Sequence, residues 1–116
     1  MINEIPQEIL EKIHLMAESI TEKLWDIVEI TRPITIKHLE DHEGSWNESD
    51  QYCKIHEETV ESKKATDRNL PDKNKEHLDI FFSWLTLIHN KKMTKRESYG
   101  AVFADLVKFH QRGWLF

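Results

Sequence analysis

The stretch from Leu78 to Ile88, LDIFFSWLTLI, constrains the fold more than any other part of the chain. On a helical wheel of about 100° per residue, Leu78, Ile80, Phe81, Phe82, Trp84, Leu85, Leu87 and Ile88 cover well over half the circumference. Only a narrow stripe is left for Glu76, Asp79, Ser83 and Thr86. A helix this apolar needs cover on several sides, from its own chain and from a second subunit. Its two carboxylates then lie between apolar walls. A bare buried carboxylate is costly, so such groups are paired, protonated or metal-bound.

The remaining sequence also reads as helix. Gly and Pro are scarce at three each in 116 residues, and alternating apolar and polar runs are hard to find. Helix A is expected from about Pro6 to Thr31, with Ile9, Ile13, Ala17, Ile20, Leu24, Ile27 and Val28 at helical spacing. Arg32-Pro33 should end it, because proline disfavours helical geometry in the residue before it. Thr35 is a candidate cap for a short helix through His42, and Gly44-Ser45 reads as a break. Helix B should span about Glu48 to Ala65, capped by Asn47 or Ser49, with Tyr52, Cys53, Ile55 and Val60 as its apolar positions. Residues 66–71 form a connection by composition. Asp72 can cap helix C, which runs to about Asn90. Thr94 and Glu97 match a capping box, so helix D follows to about Arg112, with Gly113 as its C-terminal cap. Tyr99, Val102, Phe103, Leu106 and Val107 form the apolar stripe of helix D. The expected fold is all-α, a single domain over residues 1–116 built as an antiparallel four-helix bundle.

Charge and composition exclude several functions. The formal charge is −5 with no long run of Lys or Arg, which argues against a nucleic acid polymer as partner. No run of about 18 apolar residues is present, so no membrane span is expected, and MINEIPQEIL does not read as a signal peptide. Cys53 is the one cysteine and cannot form an internal disulfide. A reducing compartment, and hence a cytoplasmic location, fits this.

Four acids form two matched pairs, Glu58 with Glu61 and Glu76 with Asp79. Spacing of i,i+3 puts both members of a pair on one helix face. Two such helices side by side aim four oxygen-bearing groups at one point, which suits a hard cation such as Mg²⁺. Glu58 and Glu61 lie away from the apolar side of helix B, so spacing alone leaves a solvated acidic face open. For Glu76 and Asp79 it leaves open acids near a helix N-terminal dipole.

Lys54-Ile-His-Glu57-Glu58-Thr-Val-Glu61 resembles the K-aliphatic-x-E-E-x-x-E segment of the MazG-like all-α nucleoside triphosphate pyrophosphohydrolases. Glu76-His-Leu-Asp79 running into the apolar helix resembles that family's second segment, 14 residues further on. Arg112-Gly-Trp114 is similar to the basic-aromatic tail of small phage-type members. The resemblance covers about half the chain, from Cys53 to Trp114. It departs from the family at Thr59-Val60, where a small residue is common, and at Phe109, where many members have Asn.

This resemblance implies Mg²⁺-dependent cleavage of a (deoxy)nucleoside triphosphate to a monophosphate and pyrophosphate, as nucleotide-pool house-cleaning. It implies Glu58, Glu61, Glu76 and Asp79 as metal ligands, Glu57 as the candidate base, and Lys54, Arg112 and Trp114 on the substrate. It also implies a homodimer or homotetramer. A different class stays open: a non-enzymatic helical protein that binds a partner, such as a degenerate family member. The histidines complete no structural zinc motif, although His38 with His42 and Cys53 with His56 have ligand-like spacings. Among the tryptophans, Trp46 and Trp114 are the better placed to stack on a base.

Overall fold

The computed structural model describes residues 4–42 and 45–116. Among these the chain is all-α, with four helices and no strand. They are α1 (Gln7–Asp41), α2 (Glu48–Asp67), α3 (Lys73–Asn90) and α4 (Lys95–Gln111). No described helix is long and apolar enough to cross a membrane. The residues group into two compact units, one of Met1–Glu29 with Thr94–Phe116, the other of Ile30–Met93.

The first unit has the conventional core. Ile5, Ile13, Ala17, Leu106 and Val107 are buried together, with Tyr99, Val102 and Phe103 packed against them. The expected stripe of α4 is therefore its packing face. The start of α4 is the expected capping box. Thr94 Oγ1 accepts from Glu97 N at 3.1 Å and Glu97 Oε1 accepts from Thr94 N at 3.0 Å. Tyr99 and the His14 Nδ1 share a hydrogen bond, and His14 Nε2 lies 2.5 Å from Glu18 Oε1.

The expected end of the first helix at Arg32-Pro33 is not observed: α1 continues through Pro33 to Asp41. An interior proline removes one hydrogen bond and crowds the carbonyl four residues back. Here packing outweighs that local cost. Thr31 and Thr35 are buried on one face astride Pro33. Thr35 is not a cap; it lies inside the helix and its hydroxyl donates to the Arg32 carbonyl at 3.0 Å. Ser45, Trp46 and Asn47 lie outside any helix, as the break predicts, whereas Gly44 is outside the described residues.

Asn47 caps α2, with Asp50 completing a capping box. Asp72 precedes α3 but makes no side-chain cap bond. The ends of α2, α3 and α4 share one device. Leu70 N bonds to Ala65 O, Met93 N to Ile88 O and Trp114 N to Phe109 O, at 2.9, 3.1 and 2.9 Å. The residue before each donor has positive φ: Asn69 at 50°, Lys92 at 56° and Gly113 at 76°. These are Schellman ends, for which glycine is the unstrained residue. Gly113 supplies it; Lys92 does not. Lys92→Gly is expected to stabilise the protein by about 0.5–1 kcal/mol, seen as a melting temperature a few degrees higher.

Candidate metal centre

The second unit is built around the α2–α3 hairpin. The helices run antiparallel: Gln51 Nε2 donates to the Ser83 carbonyl at 2.7 Å, while further along α2 Ser62 bonds to His77 near the start of α3. The buried residues of α2 are Gln51, Ile55, Glu58, Ser62 and Ala65. Their spacing of four, three, four, three is that of a helix–helix seam, with mainly polar letters. The expected apolar face is therefore not the packing face. Tyr52, Cys53 and Val60 are exposed and only Ile55 is buried. On α3, Leu78, Phe81, Phe82 and Trp84 are also exposed, while Ser83, Leu85 and Leu87 are buried. The hairpin thus turns polar groups inward and an aromatic surface outward.

This packing brings three of the four paired acids together. Glu58, Glu61 and Glu76 each place a carboxylate oxygen within 4.8 Å of the others, the one such group of three or more potential ligand residues among those described. Glu58 is buried, at 7% exposed, so a solvated face is excluded for it. Glu61 remains exposed. The buried Oε2 atoms of Glu58 and of Glu76 have no hydrogen-bond partner. Asp79 is not in the group; its Oδ2 pairs with Lys75 Nζ at 3.0 Å.

A fixed cation borders Glu58. Lys54 Nζ lies 2.9 Å from Glu58 Oε1 and 4.0 Å from Glu57 Oε2. The hydrogen bond to Glu58 holds the Lys54 ammonium above its usual pKa. Glu57 itself is exposed on the outer side. Burial lifts the Glu76 carboxyl above the usual carboxylate range; Lys75 opposes this, and Asp79, Asp72 and Glu61 add to it. Arg112 and Trp114 belong to the other unit, where the guanidinium sits 5.2 Å from the indole centroid and Trp114 is exposed.

The donor set fits a hard divalent cation. It is all oxygen, contributed by two rigid helices, and two of its buried oxygens lack any hydrogen-bond donor. A wider depression of about 630 Å³ along Glu48, Ser49, Tyr52, Cys53 and His56 holds none of these acids. Compared with known proteins, the chain matches no family model, no curated protein and no solved structure. The site is thus read from its own geometry: an all-α protein with a carboxylate cluster between two antiparallel helices.

The raised Glu76 carboxyl has a measurable consequence. Without metal, the native state holds this proton more tightly than the unfolded chain does. That contribution is complete below the ordinary carboxylate pKa and is lost as pH rises through the native value. The melting temperature of chelator-treated protein is expected to fall with rising pH in the window above the ordinary value. Glu76→Gln should show a smaller fall.

Proposed function

We propose that the protein is a Mg²⁺-dependent nucleoside triphosphate pyrophosphohydrolase of MazG-like type, with a four-helix fold that works as a homodimer or homotetramer. The observation that carries this reading is the pair of buried, unpartnered carboxylate oxygens of Glu58 and Glu76, with Glu61 beside them. Such oxygens call for a cation, and they stand on the two segments whose residues resemble the family's motifs.

Glu58, Glu61 and Glu76 would hold the ion, and Asp79, one turn beyond Glu76, would join them by exchanging Lys75. When bound, Mg²⁺ supplies charge neutralisation on phosphate oxygens and a more acidic water. Lys54 orients Glu58 and offers its remaining protons to a phosphate oxygen. Glu57, the exposed neighbour, is the carboxylate left to accept a proton from the attacking water. Incubation of pure protein with a panel of deoxynucleoside triphosphates and Mg²⁺ should release pyrophosphate and the monophosphate. No cleavage of any triphosphate, together with no Mg²⁺-dependent nucleotide binding by calorimetry, would refute the proposal.

The outward aromatic face supports a second reading, a non-enzymatic protein that binds a partner through it. Tyr52 and Trp84 meet edge to face at 6.5 Å, and Phe81 and Phe82 at 5.9 Å. A contiguous exposed apolar patch marks an association surface. In the enzyme reading a second copy covers this face. Sedimentation of wild type against Trp84→Glu distinguishes the two, since only a self-associating protein loses mass with the substitution.

A further inference from the structure

Apart from the carboxylates, three side chains of the first unit are joined in series. Tyr99 of α4 shares a hydrogen bond with His14 Nδ1, and His14 Nε2 lies 2.5 Å from Glu18 Oε1. The core of this unit fixes the arrangement. Ile13 and Ala17 of α1 are fully buried. His14 and Glu18 each follow one of them, about 100° further round the helix. Tyr99 packs its ring on the same core, and its ring meets that of His14 edge to face at 5.6 Å. The series thus sits at the rim of a packed interface, where His14 and Glu18 are exposed.

The chemistry of the three groups gives each proton a place. An ionised Glu18 is an acceptor only, so His14 Nε2 is the donor toward it. On a neutral ring Nδ1 then carries a lone pair, and the Tyr99 hydroxyl donates to it. Burial, and after it the charge of Glu18, holds the Tyr99 phenol above its usual pKa. Its proton therefore stays in place until a base removes it, and His14 is the base in contact. A hydroxyl, an imidazole bonded to it and a carboxylate that fixes the imidazole tautomer are the parts of an activated nucleophile. As an exposed pair, His14 with Glu18 adds little to the stability of the fold.

Tyr99 and Glu18 also line a surface depression, together with Thr21, Glu22, Lys95 and Arg96. Lys95 is held by Glu22 at 2.5 Å. Arg96 makes no ion pair among the described residues, so its guanidinium is the cation left for a ligand. The acids and bases of this lining balance, which suits an uncharged substrate better than a polyanion.

We propose that Tyr99 is an acyl-accepting nucleophile, with His14 as its base and Glu18 as the positioning residue, and that the substrate is a small activated carboxylic ester. The Tyr99 oxygen bonds to the acyl carbon while its proton passes to His14 Nδ1. A carbonyl electron pair moves onto the carbonyl oxygen, whose charge Arg96 balances. The intermediate then breaks its bond to the leaving oxygen, which departs with that bond's electron pair and takes the proton from His14. Water cleaves the tyrosyl ester by the same route. One of its protons goes to His14 and on to the Tyr99 oxygen, and a carboxylic acid leaves. This activity stands apart from the pyrophosphohydrolase reading, whose carboxylates belong to the other unit.

The probe is 4-nitrophenyl acetate, mixed with the full-length protein. A burst of nitrophenolate of about one per chain is expected, followed by slower release. Peptide mass spectrometry should place the acetyl group on Tyr99. Tyr52, the other tyrosine, is 46% exposed and controls for simple accessibility. Tyr99→Phe and His14→Gln should each lower the burst rate about 100-fold. Phenylalanine keeps the ring in the core and His14 is exposed, so both variants should fold, which circular dichroism checks. Glu18→Gln tests the positioning role. It should move the His14 ring nitrogen signals in NMR away from the Nε2–H tautomer, with the melting temperature unchanged. Acetyl groups spread over lysines and Tyr52 without preference for Tyr99 overturn the proposal. A full burst in Tyr99→Phe that is lost in His14→Gln also overturns it, because His14 is then the nucleophile.

Discussion

Glu61→Gln is expected to lower pyrophosphate release by roughly 100-fold or more while leaving the metal-free protein as stable as wild type, or more so. Glu61 is the exposed member of the three-carboxylate group. Its charge raises the pKa of Glu76, so it repels that neighbour when no cation lies between them. Glutamine keeps the shape and removes the charge, leaving the Lys54–Glu58 contact in place and taking only a small attraction from Lys54. Activity and metal-free stability should therefore move in opposite directions. Turnover and chelator-treated melting measured on the same sample check this. Full activity in the variant would remove Glu61 from the metal site, and a large loss of metal-free stability would mean that Glu61 supports the fold rather than the ion.

The second large effect is on stability. Lys54→Met leaves the Glu58 side chain buried with neither oxygen paired to a cation. Breaking a buried pair from one side costs about 3–5 kcal/mol. Lys54 is 39% exposed, so part of its partnership is already screened by solvent, and about 2–3 kcal/mol is expected here. Adding Glu58→Leu to Lys54→Met should recover most of the loss, because no bare charge then remains. Urea unfolding of the four proteins in the cycle gives the coupling. Additive losses would show that the 2.9 Å contact contributes little. Saturating Mg²⁺ should rescue Lys54→Met and do nothing for the double variant.

The parts of the fold that were legible in the sequence are those set by local chemistry. Thr94 with Glu97, Asn47 before α2 and Gly113 after α4 each satisfy backbone groups within a few residues, so their letters suffice. Pro33 misled because its penalty is local, whereas the burial of Thr31 and Thr35 that offsets it is tertiary. Asn69 and Lys92 close helices in the left-handed conformation without the glycine that announces it.

The site was half legible. The i,i+3 spacing placed Glu58 and Glu61 on one face, but apolar letters placed that face in solvent. The signal that α2 packs through Gln51, Ile55, Glu58, Ser62 and Ala65 was present as a seam-like spacing. It was hidden because those positions are mostly polar while Tyr52 and Val60 are not. Asp79 fitted the same spacing rule, yet Lys75, four residues earlier, draws it into an ion pair. Helix periodicity alone does not decide between two such partners.

Within the α2–α3 hairpin, the inward polar seam reverses the ordinary rule for which changes a helix tolerates. Conservative exchange of one buried apolar residue for another is normally safe in a core, and a surface serine is normally dispensable. Along α2, Ser62 at 5% exposed and Gln51 at 1% are the positions where an added methyl group meets a neighbour. Val60, at 39% exposed, has space for a polar replacement. A library randomised across α2 should accept charge where hydrophobicity scales forbid it, and reject it where they permit it.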